Sequence, residues 1–151
     1  MSAIAPELQT ALYKAHAYAN AHGFEFVTLE HIALFLIDTP SVQQAFQECR
    51  VDTQLLKRQL AAFVEGDAPA DKAARQEAKA TPGYQRSMRR AALHADATGS
   101  GEMLGINLLI AIYGEKEPNQ VVDCLLDCGA YRQTIVDYHS TGKYISGFER
   151  G

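Results

Sequence analysis

The chain has no tryptophan, only five prolines and only three cysteines in 151 residues. An odd, small number of cysteines cannot close the disulfide framework of a small secreted domain, so the thiols are read as reduced. Long apolar runs are missing too, and none nears the roughly 20 residues that cross a bilayer. The start, Met1-Ser2-Ala3-Ile4-Ala5-Pro6-Glu7, lacks the basic region and apolar core of a signal peptide, and a cytoplasmic location is expected. Positive charge is scarce. A net charge of −4 and a pI near 5.7 leave no electrostatic footprint for nucleic acid or an anionic membrane. The one basic concentration, Arg86, Arg89 and Arg90, reads as a solvated helix face or the partner of acidic neighbours. Strand periodicity is absent as well, since Phe24-Glu25-Phe26-Val27 is too short to count.

What the chain does have is itself, twice. Leu8, Leu12, Ala15, Ala19 and Gly23, then an apolar block from Leu29 to Ile37, are answered by Tyr84, Met88, Ala91, Ala95 and Gly99, then Ile106 to Tyr113, at an offset of 76. Val42, Ala45, Phe46, Cys49 and Val51 are answered by Val121, Cys124, Leu125, Cys128 and Ala130 at an offset of 79. The register slips because Gly114 to Pro118 is a longer turn than Asp38-Thr39-Pro40. The period marks two copies of one helical unit.

Each copy reads as four helices. The first runs from about Ala5 to His22 with Gly23 as its terminator, and Thr28 caps a second over Leu29 to Ile37. That second helix is apolar nearly all round, which places it at the centre of its half. Asp38 to Ser41 caps a third carrying Val42, Ala45, Phe46 and Cys49, and Asp52 a fourth carrying Leu55, Leu56, Leu60 and Phe63. Four more are expected at about 82–98, 104–113, 119–128 and 131–140. The predicted fold is all-α: two pseudo-symmetric four-helix repeats, 1–64 and 82–140, packed as one globular domain and joined by a polar linker at 65–81. That linker holds no large apolar residue before Tyr84 and reads as mobile, while 141–151 reads as a tail or the start of a longer connection.

The string Thr28-Leu-Glu30-His31-Ile-Ala-Leu-Phe-Leu-Ile37 resembles the T-x-E-H-L-L-L-A-L segment of the Clp N-terminal repeat, found at the front of ClpA-class AAA+ unfoldases. Pro40 to Asp52 resembles the third helix of that repeat and the cap of its fourth, Pro82-Gly-Tyr-Gln-Arg86 its second entry, and Gly105 to Ile112 its matching core helix. The lead into Thr28 and the linker length resemble the ClpA type. The resemblance implies a non-enzymatic, protein-binding domain above an ATPase ring. It would receive a ClpS-like adaptor or substrate proteins and feed a ClpP-type protease. No Walker motif is present in these residues, so the reading is either an excised domain, which the unpatterned tail favours, or a free-standing accessory protein of the same fold that binds the Clp machine. The isolated domain is expected to be a monomer.

Glu25, Thr28 and Glu30 fall in the loop and first turn between the first two helices, where a rigid scaffold presents side chains to a partner. With Thr81, Tyr84 and Arg86 they form the expected adaptor-binding face. The competing reading is that Glu30 serves only its helix dipole and Glu25 is solvated. An acid–base enzyme would need a pocket that splits the two carboxyl pKa values, and nothing in the sequence marks one, so no catalytic residue is expected. His31 and its counterpart Asn107 are expected to hydrogen-bond loop backbone at matching places. Cys49, Cys124 and Cys128 read as small core residues. No cofactor or metal is expected, a zinc site near His22 being the open alternative. Tyr13, Tyr18, Phe24 and Phe26 are candidates for an exposed apolar patch.

Overall fold

The computed structural model describes residues 3–69 and 77–144. In chain order these form β1 (Ala3–Ile4), α1 (Pro6–Ala21), β2 (Phe26–Val27), α2 (Leu29–Leu36), α3 (Pro40–Glu48) and α4 (Thr53–Gly66). The second copy follows as β3 (Lys79–Ala80), α5 (Pro82–Ala97), β4 (Glu102–Met103), α6 (Gly105–Ile112), α7 (Gln120–Asp127) and α8 (Arg132–Thr141). The helices lie within a residue or two of the ends that stripe and cap chemistry predict.

The central helices behave as their composition demands. In α6 every residue from Gly105 to Ile112 is buried, and in α2 Leu29, Ile32, Ala33 and Leu36 are. The two helices touch each other at the middle of one continuous core, with α1 against α2 in one repeat and α5 against α6 in the other. Contacts of α4 with α7, and of α3 with α6 and α8, then close the repeats onto one another. Leu8, Phe46, Leu56, Leu60, Leu125 and Ile135 fill the remaining interior.

Four two-residue strands correct the expectation of a strand-free chain. β1 pairs in parallel with β4, and β2 with β3, so the lead-in of each repeat hydrogen-bonds the loop between the first two helices of the other. Strands this short carry no periodic signal. The second pairing also means that the expected linker ends in structure at Lys79–Ala80, and α4 continues to Gly66 at its other end, while 70–76 lie outside the described residues.

The turn after α3 differs between the copies in one costly way. Gly129, after α7, has φ 84°, and its counterpart Arg50 has φ 59°, the left-handed region that a side chain resists. Arg50 recovers part of that cost by laying its guanidinium 5.3 Å from the centre of the Tyr144 ring. Arg50→Gly is expected to raise the unfolding free energy by about 1 kcal/mol. Arg50→Ala keeps the strained Cβ and loses the ring contact, so it should be neutral or slightly destabilising in a urea titration.

Candidate functional site

The site begins with the β2–β3 pairing. The Lys79 N–H donates to the Glu25 carbonyl at 3.0 Å and the Thr81 N–H to the Val27 carbonyl at 3.2 Å. The next residues, Thr28 and Thr81, are the N-caps of α2 and α5: their hydroxyls accept from the His31 N–H at 3.3 Å and the Tyr84 N–H at 3.2 Å. Two capped helix N-termini, positive ends of two dipoles, therefore stand side by side at the junction of the repeats. The sequence assigns Glu25, Thr28 and Glu30 to one group and Thr81, Tyr84 and Arg86 to another; the short strands bring the two groups together.

Within this corner the six residues are not equivalent. Glu25 is exposed, and Thr28 and Thr81 are half-buried caps. The Glu30 carboxylate accepts from the Gln120 N–H at 2.9 Å, so it holds the first turn of α7, in the other repeat, rather than only its own helix dipole. Tyr84 is buried, its hydroxyl 2.9 Å from the His16 ring nitrogen, and burial pushes its pKa above the usual phenol value. Arg86 is held by Glu115 at 3.1 Å and Glu117 at 3.1 Å. Burial alone would raise the Glu115 carboxyl. Backbone N–H groups of Glu117 and Lys116 and the Arg86 guanidinium outweigh that effect and hold it below the usual carboxylate range. Arg90 also donates to Glu115, so two of the three clustered arginines have acidic partners.

His31 and Asn107 play the matching structural parts expected of them. The Thr28 N–H donates to His31 Nδ1 at 3.1 Å and the Leu104 N–H to Asn107 Oδ1 at 2.8 Å. The cysteines are buried thiols; desolvation first, and then Cys128, push Cys124 up to about 11, which keeps it protonated and poorly suited to nucleophilic or metal chemistry at neutral pH. His22 stacks on Tyr18 with centroids 4.1 Å apart and meets the Tyr18 carbonyl at 2.9 Å. Among the described residues no three His, Cys, Asp or Glu side chains stand together as a metal site, and no helix is long and apolar enough to cross a membrane.

Beside the corner lies a cleft of about 520 Å³ lined by Glu25, Phe26, Thr28, Glu30, His31 and Phe63, among others. Of the aromatics expected at the surface, Tyr13 and Phe26 are exposed, Tyr18 is half-buried and Phe24 belongs to the core. The sequence places Phe63 with Leu55, Leu56 and Leu60 on the fourth helix; the buried positions of α4 are Leu56, Leu60 and Val64, at four-residue spacing, and Phe63 stands one step off them, exposed. The spacing was the available signal.

These features define a class: an all-α, double-repeat domain with its inter-repeat corner turned outward. Residues 4–127 match the family model of the Clp repeat (R) N-terminal domain, and the chain belongs to that family. It is 39% identical over 114 residues to a ClpA homolog protein of Fuscovulum blasticum, a match that covers 74% of this chain and spans only 14% of that relative. Solved structures share the fold at low identity. The Hsp104 N-terminal domain from Candida albicans superimposes with a TM-score of 0.78 at 11% identity, over 96% of each chain. The N-terminal domain of ClpV1 ATPase from the E. coli EAEC Sci1 system gives 0.74 at 15% identity, over 91% of this chain and 83% of that one. A ClpV N-domain in complex with a VipB peptide gives 0.69 at 13% identity, over 91% and 85%.

Proposed function

We propose that this chain is the partner-docking domain of a ClpA-type ATP-dependent unfoldase. It acts without chemistry of its own: it captures a ClpS-like adaptor or substrate proteins in the cytoplasm and passes them to the attached motor and a ClpP-type protease. On this reading residues 1–64 and 82–140 are the two repeats, 65–81 the connection between them, and 141–151 a tail or the start of a connection to an ATPase module. The observation that supports this most is the β2–β3 pairing, which sets the exposed Glu25 and the two threonine caps in one outward-facing corner. A carboxylate on a rigid ledge can pair with a lysine or arginine of an adaptor at little entropic cost to the ledge. The ClpV N-domain that holds a VipB peptide supports a peptide- or protein-binding use of the same fold.

The structure sharpens the test. Reversing Glu30 would also release the Gln120 N–H at the start of α7, whereas the exposed Glu25 side chain makes no such contact among the described residues. Glu25→Lys is therefore expected to weaken adaptor binding at least tenfold in a calorimetric titration while leaving the thermal midpoint unchanged. Thr81→Ala, which uncaps α5, should lower both. Adaptor affinity that survives Glu25→Lys and Glu30→Lys together would remove the corner from the docking face.

A further inference from the structure

Two buried side-chain polar atoms lack a hydrogen-bond partner among the described residues: His31 Nε2 and Gln59 Oε1. Both belong to residues that line clefts beside α4 and the start of α7. His31 lines the 520 Å³ cleft, Gln59 lines an adjoining one of about 460 Å³, and Phe63, Gln120 and Asp123 belong to both, so the two clefts are one groove.

The protonation of His31 follows from its other nitrogen. Nδ1 accepts from the Thr28 N–H, so it carries a lone pair and the ring proton sits on Nε2; burial keeps the ring from taking a second proton. The groove thus contains a buried N–H donor without an acceptor, on a residue only 2% exposed. The second repeat makes the same N-cap contact and has no such gap, because Asn107 spends its amide group on His94, 2.9 Å away. The residue at the place of His94 in the first repeat is Tyr18, which stacks on His22 and offers His31 no acceptor. The Phe24 ring, nearly perpendicular at 4.5 Å between centroids, is a weak π partner. One copy has closed this position with a side-chain partner and the other has not, on a residue that lines the groove.

The charge of the groove restricts what enters it. Glu25, Glu30, Asp67, Asp123 and Asp127 are the charged residues along it, and all are acidic. Glu30 is committed to the Gln120 N–H, whereas Asp67, Asp123 and Asp127 are exposed. A metal ion at His31 Nε2 would need the ring proton on Nδ1, where it would face the Thr28 N–H, so the cap contact opposes ligation. A polyamine matches the carboxylates and brings no acceptor, and a nucleic acid brings acceptors and the wrong charge. An extended polypeptide backbone brings both a carbonyl and an N–H, and lysine or arginine side chains bring the cation.

We propose that the α4–α7 groove binds an extended, basic peptide segment, with a backbone carbonyl on His31 Nε2–H, a backbone N–H on Gln59 Oε1, and lysine or arginine side chains over Asp123 and Asp127. Phe63, 42% exposed between the two polar anchors, packs under the segment. This deepens the partner-docking reading and rests on it, but it uses carboxylates and anchors that the corner does not.

The test is fluorescence anisotropy of the whole chain with a labelled decapeptide containing four lysines, set against the same peptide with glutamates. The lysine peptide is expected to bind and the glutamate peptide to bind at least tenfold more weakly. Asp123→Lys with Asp127→Lys should weaken lysine-peptide binding at least tenfold, and Gln59→Leu several-fold. In ¹⁵N-labelled protein the His31 side-chain N–H resonance should shift on titration with the lysine peptide. Adaptor affinity, measured in parallel, separates the two ideas: the Asp123/Asp127 reversal weakening lysine-peptide binding while adaptor affinity persists supports both, and failure of the corner alone leaves the groove standing. Equal affinity for both peptides, no binding of the lysine peptide, or binding indifferent to the Asp123/Asp127 reversal in a folded variant would overturn the groove assignment.

Discussion

Truncating Leu36 to alanine, or its counterpart Ile112, is expected to lower the unfolding free energy by about 3 kcal/mol each, and the thermal midpoint by roughly 6–12 °C. Leu36 is 1% exposed and Ile112 is 0% exposed, at matching ends of the two central helices, where α2 and α6 meet in a shared core. Removing three carbons from either site leaves a void lined by side chains on rigid helices, which close around it only in part. The similarity of the two losses matters as much as their size. If the repeats were independent units, Ile112→Ala would leave the first repeat standing and split the denaturation curve. One core predicts a single transition for both variants, with unchanged steepness in urea.

Glu7→Ala should cost about 2–4 kcal/mol although Glu7 is a half-buried residue that belongs to no apolar stripe. Its carboxylate accepts from the Ser41 N–H at 3.1 Å, from the Ser41 hydroxyl, and from the Gly105 N–H at 2.8 Å, while the Ser41 hydroxyl in turn accepts from the Ile106 N–H at 3.0 Å. One side chain of the first repeat thus caps α3 and also the buried α6 of the second. Alanine leaves these donors facing a protein interior. The fit around the cap is close: a Cβ on Gly105 would stand 2.6 Å from the Thr39 hydroxyl and 3.1 Å from the Glu7 carboxylate. Differential scanning calorimetry of Glu7→Ala should show a fall comparable to that of Leu36→Ala. A midpoint within 2 °C of the parent protein would mean that water replaces the carboxylate without penalty.

What the sequence revealed and what it hid follow one physical division. Helices, their order and their pairing between copies were legible because apolar stripes and local caps such as Thr28 and Asp52 are written in adjacent residues, and because the same stripe occurs twice. The sequence places the cap of α3 within Asp38 to Ser41. Its acceptor is Glu7, from a helix turn more than thirty residues earlier, and the Thr39 hydroxyl instead donates to the Leu36 carbonyl at 2.7 Å. The equivalent N–H in the second copy, that of Gln120, is held by Glu30, so the two copies meet the same need from different places and no repeat comparison could reveal either. The candidate corner was legible residue by residue, while its assembly depended on two-residue strands exchanged between repeats. The unpaired donor of His31 was half-visible: the offset pairs His31 with Asn107 and Tyr18 with His94, and only the rotamers show that the substitution leaves an N–H without a partner.

Native-state amide hydrogen exchange on α2 and α6 tests the shared core most directly. The slowest amides of both helices are expected to open with the same free energy, equal to that of global unfolding, and Leu36→Ala to lower both by the same amount. Slow exchange confined to one repeat, or a Leu36→Ala variant that loosens α2 while α6 keeps its protection, would contradict it.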